Sequence, residues 1–334
     1  MKDILWIDYA KIIGIFLVVY GHLLQRTGLV YEELRWVWDL IYLFHMPLFF
    51  FISGYLYKGS QNWGKILKGL VIPYLIYQLM FFPIVYIPSL VKEGFSVTIL
   101  LQYFVGIILG DGYHTEFSRY VCLPCWFLIC IIQLRMILNY VSMSFINSVL
   151  LVLGSIISLF VLKSCHINLY FNLDSTLMAL PYFIFGYWMN KKTIQPAKVS
   201  LWGAVLLLAF SVCEIGIYMI NGPTQMNGPS YGRYMILDFM GGLLGIGIVL
   251  IISNCRKSIS QYLKLLARNT LFIIFFHWLF IDVASRTNFF SLWKVVDSSA
   301  FVAVIIAIYS VLILVFAIPA IRLIQGRCDI VLGK

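Results

Sequence analysis

The chain has 334 residues, of which 62% are hydrophobic and 11% are charged, and its net charge is +10. A soluble domain carries about 45–50% apolar and about 25% charged residues, so a single water-soluble core is excluded. The Lys and Arg residues form short clusters between apolar runs and no basic stripe or arm, which argues against nucleic acid as a partner. Such clusters set membrane orientation and hold anionic lipid head groups. The composition therefore predicts an integral membrane protein.

Apolar runs of about 20 residues, long enough to cross roughly 30 Å of hydrocarbon, recur along the chain. No linker, low-complexity tract or internal repeat separates them, so we predict one all-α membrane domain over residues 1–334. A shorter apolar segment at 97–110 is predicted to form a re-entrant or interfacial helix. The ten predicted spans are 4–24, 36–57, 69–91, 120–139, 144–163, 169–189, 200–220, 234–254, 266–286 and 298–321.

The basic residues between these runs predict the orientation of the bundle. With the N-terminus in the cytoplasm, fifteen Lys and Arg residues fall in cytoplasmic segments and eight fall in outer segments. The basic clusters at 191–198 and 256–257 both fall on the cytoplasmic side, as the positive-inside rule expects. We therefore predict a multi-pass protein of the cell (inner or plasma) membrane with both termini cytoplasmic.

Several ionisable residues lie inside the predicted spans, where a charge is costly and usually faces a bundle interior or a wet cavity. Their number is high for a chain with so few charges, so it indicates an internal polar chamber and not a passive anchor. No extended set of Cys and His ligands accompanies the pair Cys122 and Cys125, so no metal is expected. The ionisable residues are Asp8, Lys11, His22, Asp39, His45, Glu214, Asp238, His277 and Asp282.

The first span is the most informative of these segments. Ten residues separate Lys11 from His22, which places them on nearly one helix face and roughly 16 Å apart. Asp8 precedes Lys11 by about one turn and is expected to neutralise it. Histidine is suited to accept a hydroxyl proton because its usual pKa of about 6.5 lies near working pH. A buried Asp–Lys pair with a packing histidine is the structural alternative.

Other polar residues allow both a functional and a structural interpretation. Lys65 and Lys68 precede the third span at a spacing that shares a helix face, and they fit either phosphate docking or the positive-inside bias. His45 and His277 lie inside spans, where a hydrogen-bonded structural role is the alternative to a catalytic one. The sequence assigns no role to the remaining histidines, His114 and His166.

Five elements in chain order resemble acyltransferase family 3, and in particular the branch related to fucose 4-O-acetylases. The first is a basic residue, ten positions and a histidine, here Lys11 and His22. The second is the apolar stretch from Met46 to Gly54. The others are the basic pair Lys65 and Lys68 followed by Pro73, the WFL stretch at Trp126–Leu128, and the late histidine His277. The family carries two arginines where this chain has lysines, so bidentate arginine–phosphate contacts are not expected.

The resemblance implies a membrane O-acetyltransferase that uses cytosolic acetyl-CoA as acyl donor and a cell-surface or lipid-linked sugar as acceptor. Lys11, Lys65 and Lys68 would bind the donor, and His22 would be the general base, oriented by Glu214. Direct transfer and an acyl-histidine relay both fit this arrangement. The residues expected to support the polar chamber are Asp8, His45, Trp126 and His277.

Two other functions remain open from the sequence. A transporter or flippase for a lipid-linked sugar or small metabolite would also need intramembrane charges and broken helices, although the halves of this chain show no repeat. A non-catalytic scaffold would not need so many buried ionisable groups. No phosphate-binding glycine loop, GxSxG elbow or kinase motif is present, so none of these soluble-enzyme chemistries is expected.

Overall fold

The apolar runs of the sequence fold into helices in the computed structural model, which describes residues 4–28, 31–59, 62–110, 117–196, 200–228, 230–256, 258–287 and 298–334. Within these ranges there is no β-strand, and only an isolated antiparallel bridge joins Gln225 and Ser230. The predicted all-α fold is thus confirmed. The helices are α1 Leu5–Gly28, α2 Arg35–Tyr55, α3 Trp63–Ile66, α4 Ile72–Glu93, α5 Val97–Leu109, α6 Trp126–Tyr140, α7 Phe145–Ser164, α8 Leu173–Lys191, α9 Leu201–Asn221, α10 Met235–Ser253, α11 Gln261–Arg268, α12 Thr270–Arg286 and α13 Ser299–Ile324.

Serine side chains begin several of these helices. The hydroxyls of Ser96, Ser144, Ser200 and Ser260 each accept a hydrogen bond from the backbone N–H three residues later. These bonds satisfy N–H groups that have no partner inside a helix. The polar residues that separate the apolar runs therefore also fix where α5, α7, α9 and α11 begin.

Eight helices in the described part of the chain are long and apolar enough to cross a membrane. A ninth is reached if α11 and α12, which meet at a bend of 86°, are counted as one span. The predicted number of ten is therefore not confirmed. The predicted span at 169–189 corresponds to α8, which contains Asp174 and Pro181 and is not among these helices.

The predicted span at 266–286 also needs correction, because it begins inside the bend. Residues 261–268 form the separate helix α11, and the membrane helix begins only at Thr270. Asn269 stands at the bend, where its side-chain amide donates to the carbonyl of Leu265. The segment predicted at 97–110 is the 13-residue apolar helix α5, and its re-entrant path stays a prediction.

The helices group into two compact units. The first unit contains residues 1–56, 185–226 and 230–323, and the second contains residues 57–184, 227–229 and 324–334. The single domain expected from the sequence stays a prediction.

Close helix packing in the first unit depends on glycines that face neighbouring helices. A Cβ atom on Gly186 of α8 would lie 2.0 Å from the carbonyl oxygen of Phe51 of α2. A Cβ on Gly245 of α10 would lie 2.2 Å from the Phe44 ring. Small residues allow such contacts in membrane bundles, where packing and not water drives association. These contacts fix α2, one of the helices that carry the site described next.

Candidate active site

Three helices of the first unit bring histidines together. His22 of α1 has its ring centroid 5.4 Å from that of His277 of α12. Tyr42 of α2 contacts His22 and also packs against His45, with ring centroids 4.6 Å apart. The structure thus places the histidines of the first, second and ninth predicted spans in one cluster, which we call the histidine cluster.

The members of the histidine cluster differ in their accessibility. His45 is 3% exposed and His277 is 0% exposed, whereas His22 is only partly buried. A substrate in contact with the cluster would therefore meet His22 first. This difference favours His22 as the reactive group and gives the other two histidines a supporting position.

Backbone hydrogen bonds fix the tautomers of the two buried histidines. The Nδ1 atom of His45 lies 2.8 Å from the carbonyl oxygen of Ile41, and that of His277 lies 2.9 Å from the carbonyl oxygen of Ile273. Because a carbonyl only accepts, each Nδ1 carries hydrogen, and in a neutral ring Nε2 is left as an acceptor. The Nε2 atom of His277 is buried and has no hydrogen-bond partner among the described residues.

The Nδ1 atom of His22 contacts the side chain of another helix, whereas the Nδ1 atoms of His45 and His277 contact the backbone of their own helices. The Nδ1 atom of His22 lies 3.0 Å from the hydroxyl oxygen of Tyr42, which lies 3.3 Å from Oε1 of Gln25. No hydrogen bond to Nε2 of His22 is found within the described ranges. Nε2 is the ring nitrogen that Tyr42 does not contact.

Aromatic side chains line this part of the unit. The ring of Trp278 lies 5.2 Å from that of His22, and the guanidinium of Arg26 lies 5.6 Å from the Trp278 ring centre. The Trp38 ring packs 4.5 Å from Tyr42. Apolar and aromatic walls with a few placed polar groups are typical of small-molecule sites.

Lys11 and Asp8 lie on the same helix as His22, nearer its N-terminal end. Because α1 is continuous from Leu5 to Gly28, Lys11 and His22 are about 16 Å apart along its axis and nearly on one face. Lys11 is partly buried, and the charges of Asp8 and Arg268 lie close enough to act on it. Arg268, which ends α11, is a neighbour that the sequence did not predict.

Lys65 and Lys68 lie in the second unit, and both are exposed. Lys65 ends the short helix α3, and Lys68 lies in a π-helical turn at Leu67–Val71 that leads directly into α4. Such turns are rare in proteins and are frequent at functional sites. Because Lys65 and Lys68 are exposed, both side chains are accessible to a ligand. Their role in donor binding stays a prediction.

Glu214 is the carboxylate that the sequence predicts to orient His22. It lies on α9, is 5% exposed, and its Oε1 atom has no hydrogen-bond partner among the described residues. One turn later, Tyr218 donates a hydrogen bond of 3.1 Å to Asp39 of α2. No contact between Glu214 and His22 is found in the described part of the chain, so its orienting role stays a prediction without structural support.

Trp126 and Asp282, which the sequence analysis also singled out, make a ring contact and an ion pair, respectively. Trp126 begins α6 in the second unit and is 5% exposed, beside Phe127. Asp282 is paired with Arg286 one turn later on α12, at 2.6 Å. No group of three metal-ligating side chains is found among the described residues. His114, Lys198 and Lys257 lie outside the described residues.

Sequence reasoning missed Tyr42, Gln25 and Trp278, which complete the surroundings of His22. Tyr42 precedes His45 by three residues and Trp278 follows His277 directly, so their proximity to predicted residues was a usable signal. Nothing in the sequence, however, shows which aromatic residue turns toward which histidine.

Comparison with known proteins identifies the family of the chain. The family model of acyltransferase family 3, an acyltransferase domain, matches residues 4–321. The nodulation protein NolL of Mesorhizobium japonicum is 42% identical over 82 residues, which are 21% of this chain and 21% of that protein. NolL of Sinorhizobium fredii is 48% identical over 58 residues, 16% of this chain and 15% of that protein.

Each of these two matches covers about a fifth or less of the relative's length. No solved structure matches the chain. The family model, in contrast, covers α1 through most of α13 and includes all three residues of the histidine cluster. The chain therefore belongs to acyltransferase family 3 and is a multi-pass membrane protein.

Proposed function

We propose that this protein transfers an acetyl group from cytosolic acetyl-CoA to a hydroxyl of a cell-surface or lipid-linked sugar at the cell membrane. The observation that carries the proposal is the position of His22, a partly buried imidazole held at Nδ1 by Tyr42 and flanked by Trp278. A general base must reach the proton that it removes, and His22 is the most accessible member of the histidine cluster.

In the proposed reaction, Nε2 of His22 takes the proton of the acceptor hydroxyl as its oxygen attacks the thioester carbonyl. The new C–O bond forms, the C–S bond breaks, and the proton passes from His22 to the departing thiolate. The products are the acetylated sugar and free coenzyme A. Histidine suits both steps because its usual pKa lies near neutrality, so it can accept and return a proton.

The donor is proposed to bind through cations on the cytoplasmic side. Lys65 and Lys68 are exposed lysines that can act as point charges on the phosphates of coenzyme A. Lys11, in the first unit, is the third cation that the sequence predicts for donor binding. The distance of about 16 Å from Lys11 to His22 leaves room for the extended pantetheine arm of the donor.

The acceptor is proposed to be a sugar, in keeping with the resemblance to the fucose 4-O-acetylase branch. Trp278, with Arg26 stacked over it, offers an amphipathic aromatic surface beside His22. Aromatic side chains of this kind combine a large contact area with a polar edge. A sugar ring with its hydroxyls matches a surface of this mixed character.

The test is acetyl transfer by the purified protein in liposomes. Acetyl-CoA labelled in the acetyl group is supplied on one side, with a fucosylated oligosaccharide as acceptor on the other. We expect label in the oligosaccharide, and a mutant with His22 replaced should give none above background. Movement of the oligosaccharide across the bilayer without acetylation would instead support a transporter or flippase and contradict the proposal.

A further inference from the structure

Tyr42 contacts two side chains of α1 at once. Its hydroxyl oxygen lies 3.0 Å from Nδ1 of His22 and 3.3 Å from Oε1 of Gln25. His22 and Gln25 are three residues apart, so they lie on one helix face and a single hydroxyl can reach both. Tyr42 thereby links the accessible histidine to an amide near the end of the same helix.

The hydrogen-bonding capacities of these groups select one arrangement. A phenol has one hydrogen to donate, whereas the oxygen of a side-chain amide can only accept. Both contacts are satisfied together only if Tyr42 donates to Gln25 and accepts from Nδ1–H of His22. If Tyr42 donated to His22 instead, Oε1 of Gln25 would receive no hydrogen from it and Nε2 of His22 would carry the proton.

We propose that Tyr42 and Gln25 are positioning residues that hold neutral His22 with hydrogen on Nδ1 and a free lone pair on Nε2. This inference rests on the proposed role of His22 as general base, because only an unprotonated Nε2 can accept the proton of a hydroxyl. His45 and His277 have the same tautomer through their own backbone bonds. The hydrogen bonds from His22 to Tyr42 and from Tyr42 to Gln25 form what we call the side-chain relay. This relay gives His22 the same tautomer that backbone hydrogen bonds give His45 and His277.

The relay also serves the charged state of His22. When Nε2 takes the acceptor proton, Nδ1–H continues to donate to the Tyr42 oxygen, and Tyr42 continues to donate to Gln25. No hydrogen in the relay has to move, so the surroundings of the imidazolium are already arranged. Such preorganised hydrogen bonds stabilise a developing charge without reorganisation at the moment of reaction.

The first test reads the tautomer directly by nitrogen-15 NMR of the full-length protein, with labelled histidine, in lipid nanodiscs. The chain has five histidines, and a His22→Asn variant identifies the His22 signals by difference. We expect hydrogen on Nδ1 of His22 in the unaltered protein. In Gln25→Leu, Tyr42 loses its acceptor, so the Nε2–H form should increase. Gln25→Glu keeps an acceptor and should restore the Nδ1–H form.

The second test measures acetyl transfer to the fucosylated oligosaccharide by the same variants. Gln25→Leu and Tyr42→Phe should lower kcat by roughly 10–100-fold, as expected for a residue that orients a functional ligand, with the KM for acetyl-CoA unchanged. Gln25→Glu should recover most of the rate. Gln25 is exposed, so its variants should fold normally even if Tyr42→Phe does not.

The two readouts separate the relay from the enzymatic function. An Nε2–H signal in the unaltered protein, or a tautomer that does not respond to Gln25→Leu, overturns the relay. The expected tautomer shifts in a protein that transfers no acetyl group would support the relay and overturn the proposed function. A kcat that is the same in Gln25→Leu and Gln25→Glu would show that the relay does not position His22 for chemistry.

Discussion

The three intramembrane histidines differ in what holds them. His45 and His277 are buried and bonded to their own helices, whereas His22 is only partly buried and is bonded to Tyr42 of another helix. A ring held by a side chain can be oriented toward a substrate without disturbing the helix that carries it. The combination of access and orientation sets His22 apart.

Replacement of His22 by Ala should therefore affect chemistry more than folding. We expect turnover to fall by roughly 10²–10⁴-fold, the usual contribution of a positioned general base. The melting temperature and acetyl-CoA binding should change little, because the side chain is only partly buried. Transfer rate and melting temperature are measured on one purified sample.

The matched control for His22→Ala is His166→Asn. His166 is exposed and has a positive φ of 55°, which asparagine tolerates, so this variant should keep full activity. A well-folded His22→Ala protein that transfers at nearly the normal rate would contradict the role of His22. A variant of His22 that loses activity only in proportion to lost folded protein would indicate a packing role.

Lys65 and Lys68 should act on the donor and not on the chemical step. Replacing both by Ala is expected to raise the KM for acetyl-CoA with little change in kcat, since phosphate contacts are made before and during the reaction. Steady-state kinetics over a range of donor concentrations measure this split. Lys92→Ala, which replaces an exposed lysine in the last turn of α4, is the control. An unchanged donor KM would leave the two lysines as orientation signals only.

Packing between helices determines whether the histidine cluster can form. Tyr42 and His45 belong to α2, whose backbone at Phe51 is approached closely by α8 at Gly186. On α10, Gly241 and Gly245 bring the backbone against Leu43 and Phe44 of α2. A displacement of α2 would move Tyr42 away from His22, since the two side chains are on different helices.

A methyl group at Gly186 should disturb this packing. Gly186→Ala places a Cβ atom 2.0 Å from the carbonyl oxygen of Phe51, so the helices must separate. We expect a loss of about 1–3 kcal/mol of stability, the usual cost of overpacking. A lower melting temperature and reduced transfer activity should appear together.

The control for Gly186→Ala is Gly216→Ala on α9. No atom lies within 4 Å of a Cβ at Gly216, so this change should leave stability equal or raise it by up to about 1 kcal/mol through helix propensity. Equal melting temperatures for the two variants would show that the contact at Phe51 relaxes without cost.

The orientation of the whole molecule is predicted from its basic clusters. In the ten-span topology predicted from the sequence, which counts α8 as a span, the loop that contains Lys192 faces the cytoplasm and the loop that contains Asn227 faces outside. This orientation puts the N-terminal part of α1, with Lys11, on the donor side. It puts His22 near the acceptor side, which the proposed reaction requires.

Single cysteines test this orientation in a variant without the seven native cysteines, four of which are exposed. Lys192→Cys should react with a membrane-impermeant maleimide only after the cytoplasmic face is opened. Asn227→Cys should react in intact cells. Labelling of Lys192→Cys in intact cells would contradict either the predicted orientation of the chain or the crossing of the membrane by α8.

The sequence by itself determined that this protein lies in a membrane, and it determined much of the helical architecture. Hydrophobic runs of membrane length and the scarcity of charges are local properties, so they predict apolar helices wherever they occur. The continuity of α1 followed from an apolar run of membrane length, and with it the spacing of Lys11 and His22. The number of spans was harder to predict from the sequence. Helix α8 is polar at both ends, and no strong sequence pattern marks the break in the helix at Asn269.

Only the tertiary structure decided what surrounds His22. The sequence suggested a carboxylate, Glu214, as its partner, but the side chain in contact with it is Tyr42, with His277 and Trp278 alongside. These groups come from α2, which follows α1 in the sequence, and from α12, which lies far from α1 along the chain. Which of their faces turn toward α1 depends on how glycines and large side chains interlock between helices. That packing is a collective property of many residues, so no single stretch of sequence encodes the partners of His22.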